Sequence, residues 1–208
     1  MLRREFIERN SRQIHGGFAT DDSEITYNLI NSWMNDAIAI AAKKNYTDNL
    51  QLEGIGFVNN SFYTKFRGLA VTADGSLTYR LTLPQIPIGV GTTEGVGTLQ
   101  FIDADGNDSF PCVPLSENQV TYFEHMRVPP NVTLFYPEGG YIYAKSTLLL
   151  NAYTANVRMI SGGDSTDLDS TLNVPSDYFP AMVEYLKAQL AFEKAQLKDG
   201  ANDGLNKA

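Results

Sequence analysis

The chain has one cysteine, one tryptophan and two histidines in 208 residues, and only 19% of its residues are charged. A single thiol, Cys112, excludes an internal disulfide and any metal site built on clustered cysteines, as expected for a protein made in a reducing compartment. Between Pro111 and Val113, Cys112 reads as a packed small hydrophobe. His15 and His125 supply no zinc trio, and neither has a serine or cysteine at hydrolase-motif spacing. His15 reads as helix-end punctuation beside Gly16, and His125 as a polar group on a helix face or interface. No apolar run approaches the roughly 18 residues of a membrane span, and no basic-then-apolar leader opens the sequence, so a soluble product without membrane association is expected. Paired carboxylates on a dependable framework are missing too, because the acids fall mainly in turns and at helix starts. The expectation is a non-enzymatic protein with no catalytic residue, no metal and no cofactor.

Sixteen basic and 24 acidic residues leave a net charge of -8. That balance opposes wrapping nucleic acid by phosphate neutralisation, while leaving room for a local basic patch. The ends differ in character: Arg3, Arg4, Arg9 and Arg12 stand near the start, whereas residues 161–208 hold eight acids and four lysines.

What the sequence has in quantity is apolar bulk, with 43% hydrophobic residues, 11 Phe and 11 Tyr. A chain this long can bury a core without staples. Leu2, Phe6, Ile7 and Ile14 form a weak helical stripe ended by Gly16-Gly17. Asp21 followed by Glu24 can cap a helix over about 22–45. Its buried face is read as Ile25, Leu29, Trp33, Ala37, Ile38 and Ala41, at spacings of three and four, with Lys43 and Lys44 in the last turn. After the polar stretch at 161–173, Pro175 and Pro180 open a second amphipathic helix with Phe179, Met182, Val183, Leu186, Leu190 and Leu197 on one face.

Between these helices, short apolar runs divided by Gly, Pro, Asn and Asp predict strands at Phe62–Phe66, Leu77–Leu83, Thr98–Ile102, Val132–Tyr136 and Tyr141–Ala144. Leu148–Met159 reads as one long bent strand or two short ones. Reversals are expected at Asp74-Gly75, Asp105-Gly106 and Pro137–Gly140. Residues 84–97 form a projecting loop, and Ser116 caps a short helix reaching towards Met126. The expected architecture is α+β, with N- and C-terminal helices packed as a framework around a central antiparallel β-rich lobe. Its parts are a helical segment at 1–53, the lobe at 54–160, a polar linker at 161–173, and a helix with a flexible tail at 174–208.

Three groups invite a chemical reading. Asp103, Asp105, Asn107 and Asp108 offer oxygens, but a calcium loop of the EF-hand type needs Gly sixth and Glu twelfth, and Gly106 is fourth. A hairpin turn is the simpler reading. The Asp164, Asp167 and Asp169 group is a solvated loop, with a cation or basic partner as the alternative. Gly89, Gly91, Gly95 and Gly97 lack the spacing of either phosphate-cradling motif, so they mark a special or mobile loop. Phe57, Phe62, Tyr63 and Phe66 read as core or subunit contact, with base stacking beside Lys65 and Arg67 as the alternative.

The segments DDSEITYNLINSWMNDAIAIAAKKNYTDNL at 21–50 and MISGGDSTDLDSTLNVPSDYFPAMVEYL at 159–186, with FVNNSFYTKF and YPEGGYIY between them, resemble a structural protein of crAss-like tailed bacteriophages. The family is the ring, or adaptor, protein of the head-to-tail connector. The resemblance implies a ring of twelve subunits beneath the portal, contacting the portal protein and the next tail or ring protein, with DNA passing through without specific binding. Localisation would be the virion's head-to-tail junction, after synthesis in the host cytoplasm. Carried onto this chain, Ile25, Leu29, Trp33 and Ile38 would pack opposite Met182, Leu186 and Leu190. Tyr185, Phe192 and Leu197 become candidate intersubunit or portal contacts, and Arg3, Arg4 and Arg9 candidate DNA-path or partner contacts. A tail-hub or fibre-attachment adaptor is the alternative virion role, and a carbohydrate-binding module or hydrolase the alternative outside assembly.

Overall fold

A computed structural model of the chain describes residues 1–14, 27–90, 95–107, 110–161 and 168–205, with backbone alone for 27–28 and 197–205. The chain divides into a helical unit, Met1–Val58 with Gly162–Ala208, and a β unit, Asn59–Ser161. The architecture is α+β, with terminal helices flanking in sequence a mixed, near-barrel sheet.

The helical unit contains α1 (Arg3–Ile14), α2 (Tyr27–Ser32), α3 (Met34–Glu53) and α5 (Phe179–Leu205); α5 packs against both α1 and α3. Its buried positions follow the helical repeat: Phe6, Ile7 and Ile14 on α1; Met34, Ala37, Ile38, Ala41 and Ala42 on α3; Met182, Val183, Leu186 and Leu190 on α5. Phe6 meets Phe179 edge to face, with centroids 5.2 Å apart. The start of the chain pairs with residues after the 162–167 stretch: Leu2 bridges Thr171, and Arg4 N–H donates to the Leu168 carbonyl at 2.9 Å.

The single helix expected over 22–45 is corrected in two respects. It is interrupted at Trp33, where Ser32 Oγ donates to the Leu29 carbonyl at 2.6 Å and Trp33 N–H to Ile30 at 3.2 Å, replacing the regular ladder. It also continues to Glu53, ending where Gly54 N–H donates to the Leu50 carbonyl. The buried line runs through Ile30, Met34 and Ile38, so Leu29 and Trp33 are half-buried at its margin rather than at its centre. Ile25 lies outside the described residues. The tail read as flexible is helical in backbone to Leu205.

Among the described residues of the β unit, seven strands run β1 (Tyr63–Gly75), β2 (Thr78–Thr82), β3 (Val96–Ile102), β4 (Cys112–Pro114), β5 (Thr133–Glu138), β6 (Tyr141–Lys145) and β7 (Thr154–Ile160). Their order is β3-β7-β1-β2-β6-β5-β4, with edge strands β3 and β4 approaching each other. Every named pair is antiparallel except β4–β5. Alternating residues, among them Val71, Leu81, Phe101, Phe135, Ile142 and Val157, close the interior.

The turns obey local chemistry. Gly139 and Gly140 carry φ of 56° and 93°, the two positive values that a tight β5–β6 hairpin needs. The first reversal falls at Ser76-Leu77, two residues beyond Asp74-Gly75, and places Leu77 at φ 60°. Asp103 Oδ1 accepts the N–H groups of Asp105 and Asn107, at 3.0 and 2.8 Å, making 103–107 a self-satisfied turn; Asp108 lies outside the described residues. Those bonds, that of Asn107 foremost, hold the Asp103 carboxyl below its usual range. A short helix, α4 (Glu117–Val120), follows Ser116, and a 3₁₀ turn at Phe123–His125 extends it. Leu148–Met159 resolves into a 3₁₀ turn at Leu150–Ala152 and β7. The 84–97 segment does not simply project: Ile88 N–H donates to the Ile160 carbonyl, Ile160 N–H to Gly95, and Val90 is buried. Residues 91–94 lie outside the described residues.

Candidate interaction surfaces

The N-terminal arginines do not form one basic face. Arg3, expected as a DNA-path or partner contact, is fully buried. Its Nε donates to Asn31 Oδ1 at 2.8 Å, Nη1 to Asn35 Oδ1 at 3.0 Å, and Nη2 to the Asn31 carbonyl at 3.0 Å. Its side chain is therefore committed to the helical framework, which overturns its assignment as a contact. Arg4 reaches Asp169 at 3.4 Å, and Arg9 shares a shallow depression with Glu5 and Glu8. Both are exposed, with acids close by that weaken their field towards a polyanion.

On α5, Met182, Leu186 and Leu190 occupy the buried face as expected. Tyr185 is half-buried beside them; its hydroxyl accepts from Gln189 Nε2 at 3.0 Å. Burial foremost, then the charge of Asp36, raises the Tyr185 pKa. Tyr185 thus lies partly within the α3–α5 framework. Phe192 is 58% exposed. Leu197 belongs to the α5 backbone, and its side chain lies outside the described residues.

A second apolar group joins Phe57, read from the sequence as core or subunit contact, to three neighbours that the sequence pattern did not mark. Leu50, Leu52, Ile55 and Phe57 are all exposed, Leu52 at 84% and Ile55 at 69%. They flank Gly54 where α3 stops. The signal was present as four apolar residues in eight, but placing the helix end near residue 45 hid their surface position.

The outer face of the β unit has two polar regions. Tyr136 stacks on Tyr143 with centroids 5.2 Å apart and meets Phe123 edge to face at 4.8 Å, while Arg80 lies 5.1 Å from the Tyr141 ring. Beside this row, Ile86, Val120, Tyr136, Pro137, Glu117 and Glu138 line an open depression of about 550 Å³. Burial, followed by the charge of Glu138, pushes Tyr136 up to about 12. The other region carries Lys65, Arg67 and Arg158 beside Thr98, Gln100 and Asn156 around a depression of about 300 Å³. Phe62 is buried, and Tyr63 lies under Arg158 with the guanidinium carbon 4.4 Å from its ring centroid, so neither is a free stacking platform.

Cys112 is half-buried in the wall of a cavity of about 380 Å³ where β3 and β4 approach. Among the described residues, no group of three or more His, Cys, Asp or Glu is placed to hold a metal ion, and no helix is long and apolar enough to cross a membrane. Comparison with protein-family models and with curated proteins gives no match.

Proposed function

We propose that the chain is a structural subunit of a tailed-phage connector, assembling as a ring beneath the portal around the DNA path. The observation that carries this reading is the set of large apolar side chains left exposed on the helical unit, Leu52, Ile55 and Phe192, at 84%, 69% and 58%. Side chains of this size gain roughly 1.5–3 kcal/mol each when fully buried, so repeated contacts around a ring would give them large collective effect. The resemblance of residues 21–50 and 159–186 to the connector family supplies the place of assembly. The excess of acids suits a conduit that DNA traverses without being gripped.

Mass photometry of the purified chain, followed by binding to the portal protein and electron cryo-microscopy of intact virions, tests the proposal. The expected result is a closed ring that binds the portal and lies at the portal-to-tail junction. A ring at the distal tail would support the tail-hub or fibre-adaptor reading instead, and a chain that remained monomeric in the presence of portal would overturn assembly. The Glu117, Glu138 and Tyr136 depression is the feature favouring a carbohydrate module. Glycan-array binding by a monomer, lost in Tyr136→Ala, would favour that role.

A further inference from the structure

Lys65 and Arg158 are direct cross-strand partners on β1 and β7, and Thr98 of β3 is next across the same row. Like charges directly opposite each other ordinarily weaken a sheet. Arg67 joins them through a β-bulge: the register slips between Phe66 and Leu69, Gly68 takes φ 67°, and its N–H donates to Asn156 Oδ1 at 3.1 Å. The bulge places a third cation around the 300 Å³ depression, whose other polar lining groups are Thr98, Gln100 and Asn156. Arg158 is oriented from below by the Tyr63 ring and by a hydrogen bond to Asn60 Oδ1. Among the described residues, none of the three cations is ion-paired with a carboxylate.

We infer that this face is one half of a heterologous contact and receives carboxylates from the helical unit of a second copy. The charge distribution selects that occupant. Residues 59–161 carry six basic and eight acidic residues, and half of those bases are gathered here; the rest of the chain carries ten basic and sixteen acidic residues. A basic depression on a nearly balanced unit therefore complements a strongly acidic unit of the same chain. Head-to-tail pairing of unlike faces propagates around a closed ring, so each copy can use both. Carboxylates seated here would relieve the Lys65–Arg158 repulsion and use the neutral donors beside them.

This inference rests on the ring reading, and its test separates the two. Wild type and Lys65→Glu/Arg67→Glu/Arg158→Glu are compared by mass photometry between about 50 and 500 mM NaCl, with thermal melting to establish folding; the milder Lys65→Gln/Arg158→Gln serves if the triple variant does not fold. Wild-type association is expected to weaken with salt, and either variant to raise the apparent Kd at least about tenfold while flattening that dependence. Carbodiimide coupling of mixed light- and heavy-isotope chains should join Lys65 to an acidic residue of the other copy's helical unit. Rings that form equally well in a folded variant, with no such cross-link in the wild-type ring, overturn this inference and leave the ring standing. A wild-type chain that stays monomeric overturns both. Loss of binding to a DNA oligonucleotide or inorganic phosphate in the variants, with association unchanged, assigns the face to phosphate and overturns the second-copy occupant.

Discussion

Arg3 Nε donates to Asn31 Oδ1 at 2.8 Å, and both residues are buried. A cation in the first turn of α1 opposes the helix dipole, so its place must be secured by specific bonds. They come from the break between α2 and α3. There the carbonyls of Leu29, Ile30 and Asn31 accept from Ser32 Oγ, Trp33 N–H and Arg3 Nη2 in turn. The interruption that leaves Trp33 at the margin also supplies an acceptor for the arginine, linking α1 to α2.

Arg3→Met should therefore destabilise the helical unit. It retains much of the stem's bulk and removes the charged hydrogen bonds to Asn31 and Asn35, with an expected loss of about 2–4 kcal/mol in urea unfolding. Arg3→Lys should recover only part, because an ammonium cannot reproduce the planar fork. A stability change below about 0.5 kcal/mol for Arg3→Met would show that the guanidinium is solvated in solution.

The helices were legible where spacing and size agreed, as at Met182, Leu186 and Leu190, all buried. They misled at Trp33, where the largest apolar side chain drew the first half of the predicted seam one position away from Ile30 and Met34, while Ala37, Ile38 and Ala41 are buried as read. The extension to Glu53 was hidden by Asn45, Thr47 and Asn49, residues of modest helix propensity. Tertiary bonds offset that preference: Asn45 Nδ2 donates to Tyr178 Oη and Asn49 Nδ2 to the Phe57 carbonyl, both at 2.8 Å. β4 is three residues long and parallel to β5, too short to display a period. The basic face depends on the pairing of β1 with β7, and no local pattern reveals that Lys65 stands opposite Arg158.

Leu77 carries φ 60° in the β1–β2 turn, a conformation in which its Cβ crowds the backbone, and it is 42% exposed. Leu77→Asn should relieve that crowding for little lost burial and stabilise the β unit by about 0.5–1 kcal/mol. A raised thermal midpoint measures the gain. A lower midpoint would mean that Leu77 packing outweighs the backbone term.

Tyr136 gives the fold an alkaline limit. Burial, then the charges of Glu138, Tyr143, Glu124 and Asp74, raises its pKa from 10.0 to about 12, so the folded state holds the phenolic proton more tightly than the unfolded state. Its contribution is complete below pH 10 and is lost as the pH rises from about 10 towards 12. Tyr136→Phe should reduce the loss of stability across that interval and delete the latest phenolate transition near 295 nm. Identical alkaline unfolding curves for the two proteins would sink the assignment.

Lys145 ends β6 as a buried cation and holds the α4 segment to the sheet. Its Nζ donates to the carbonyls of Phe123 and Glu124, at 2.9 and 2.6 Å, and lies 5.6 Å from the Phe123 ring centroid. The segment beyond α4 is short, and Phe123 is its buried anchor against the Tyr136 ring. Lys145→Met keeps a flexible apolar stem in place but removes both donors, with an expected cost of about 1–3 kcal/mol. Hydrogen exchange should then quicken first over 122–126, where the 3₁₀ turn's N–H groups are bonded, and later in the β5–β6 ladder. Uniform acceleration across the β unit would instead make Lys145 part of the global core, and unchanged exchange at 122–126 would show that the ammonium does not hold this segment.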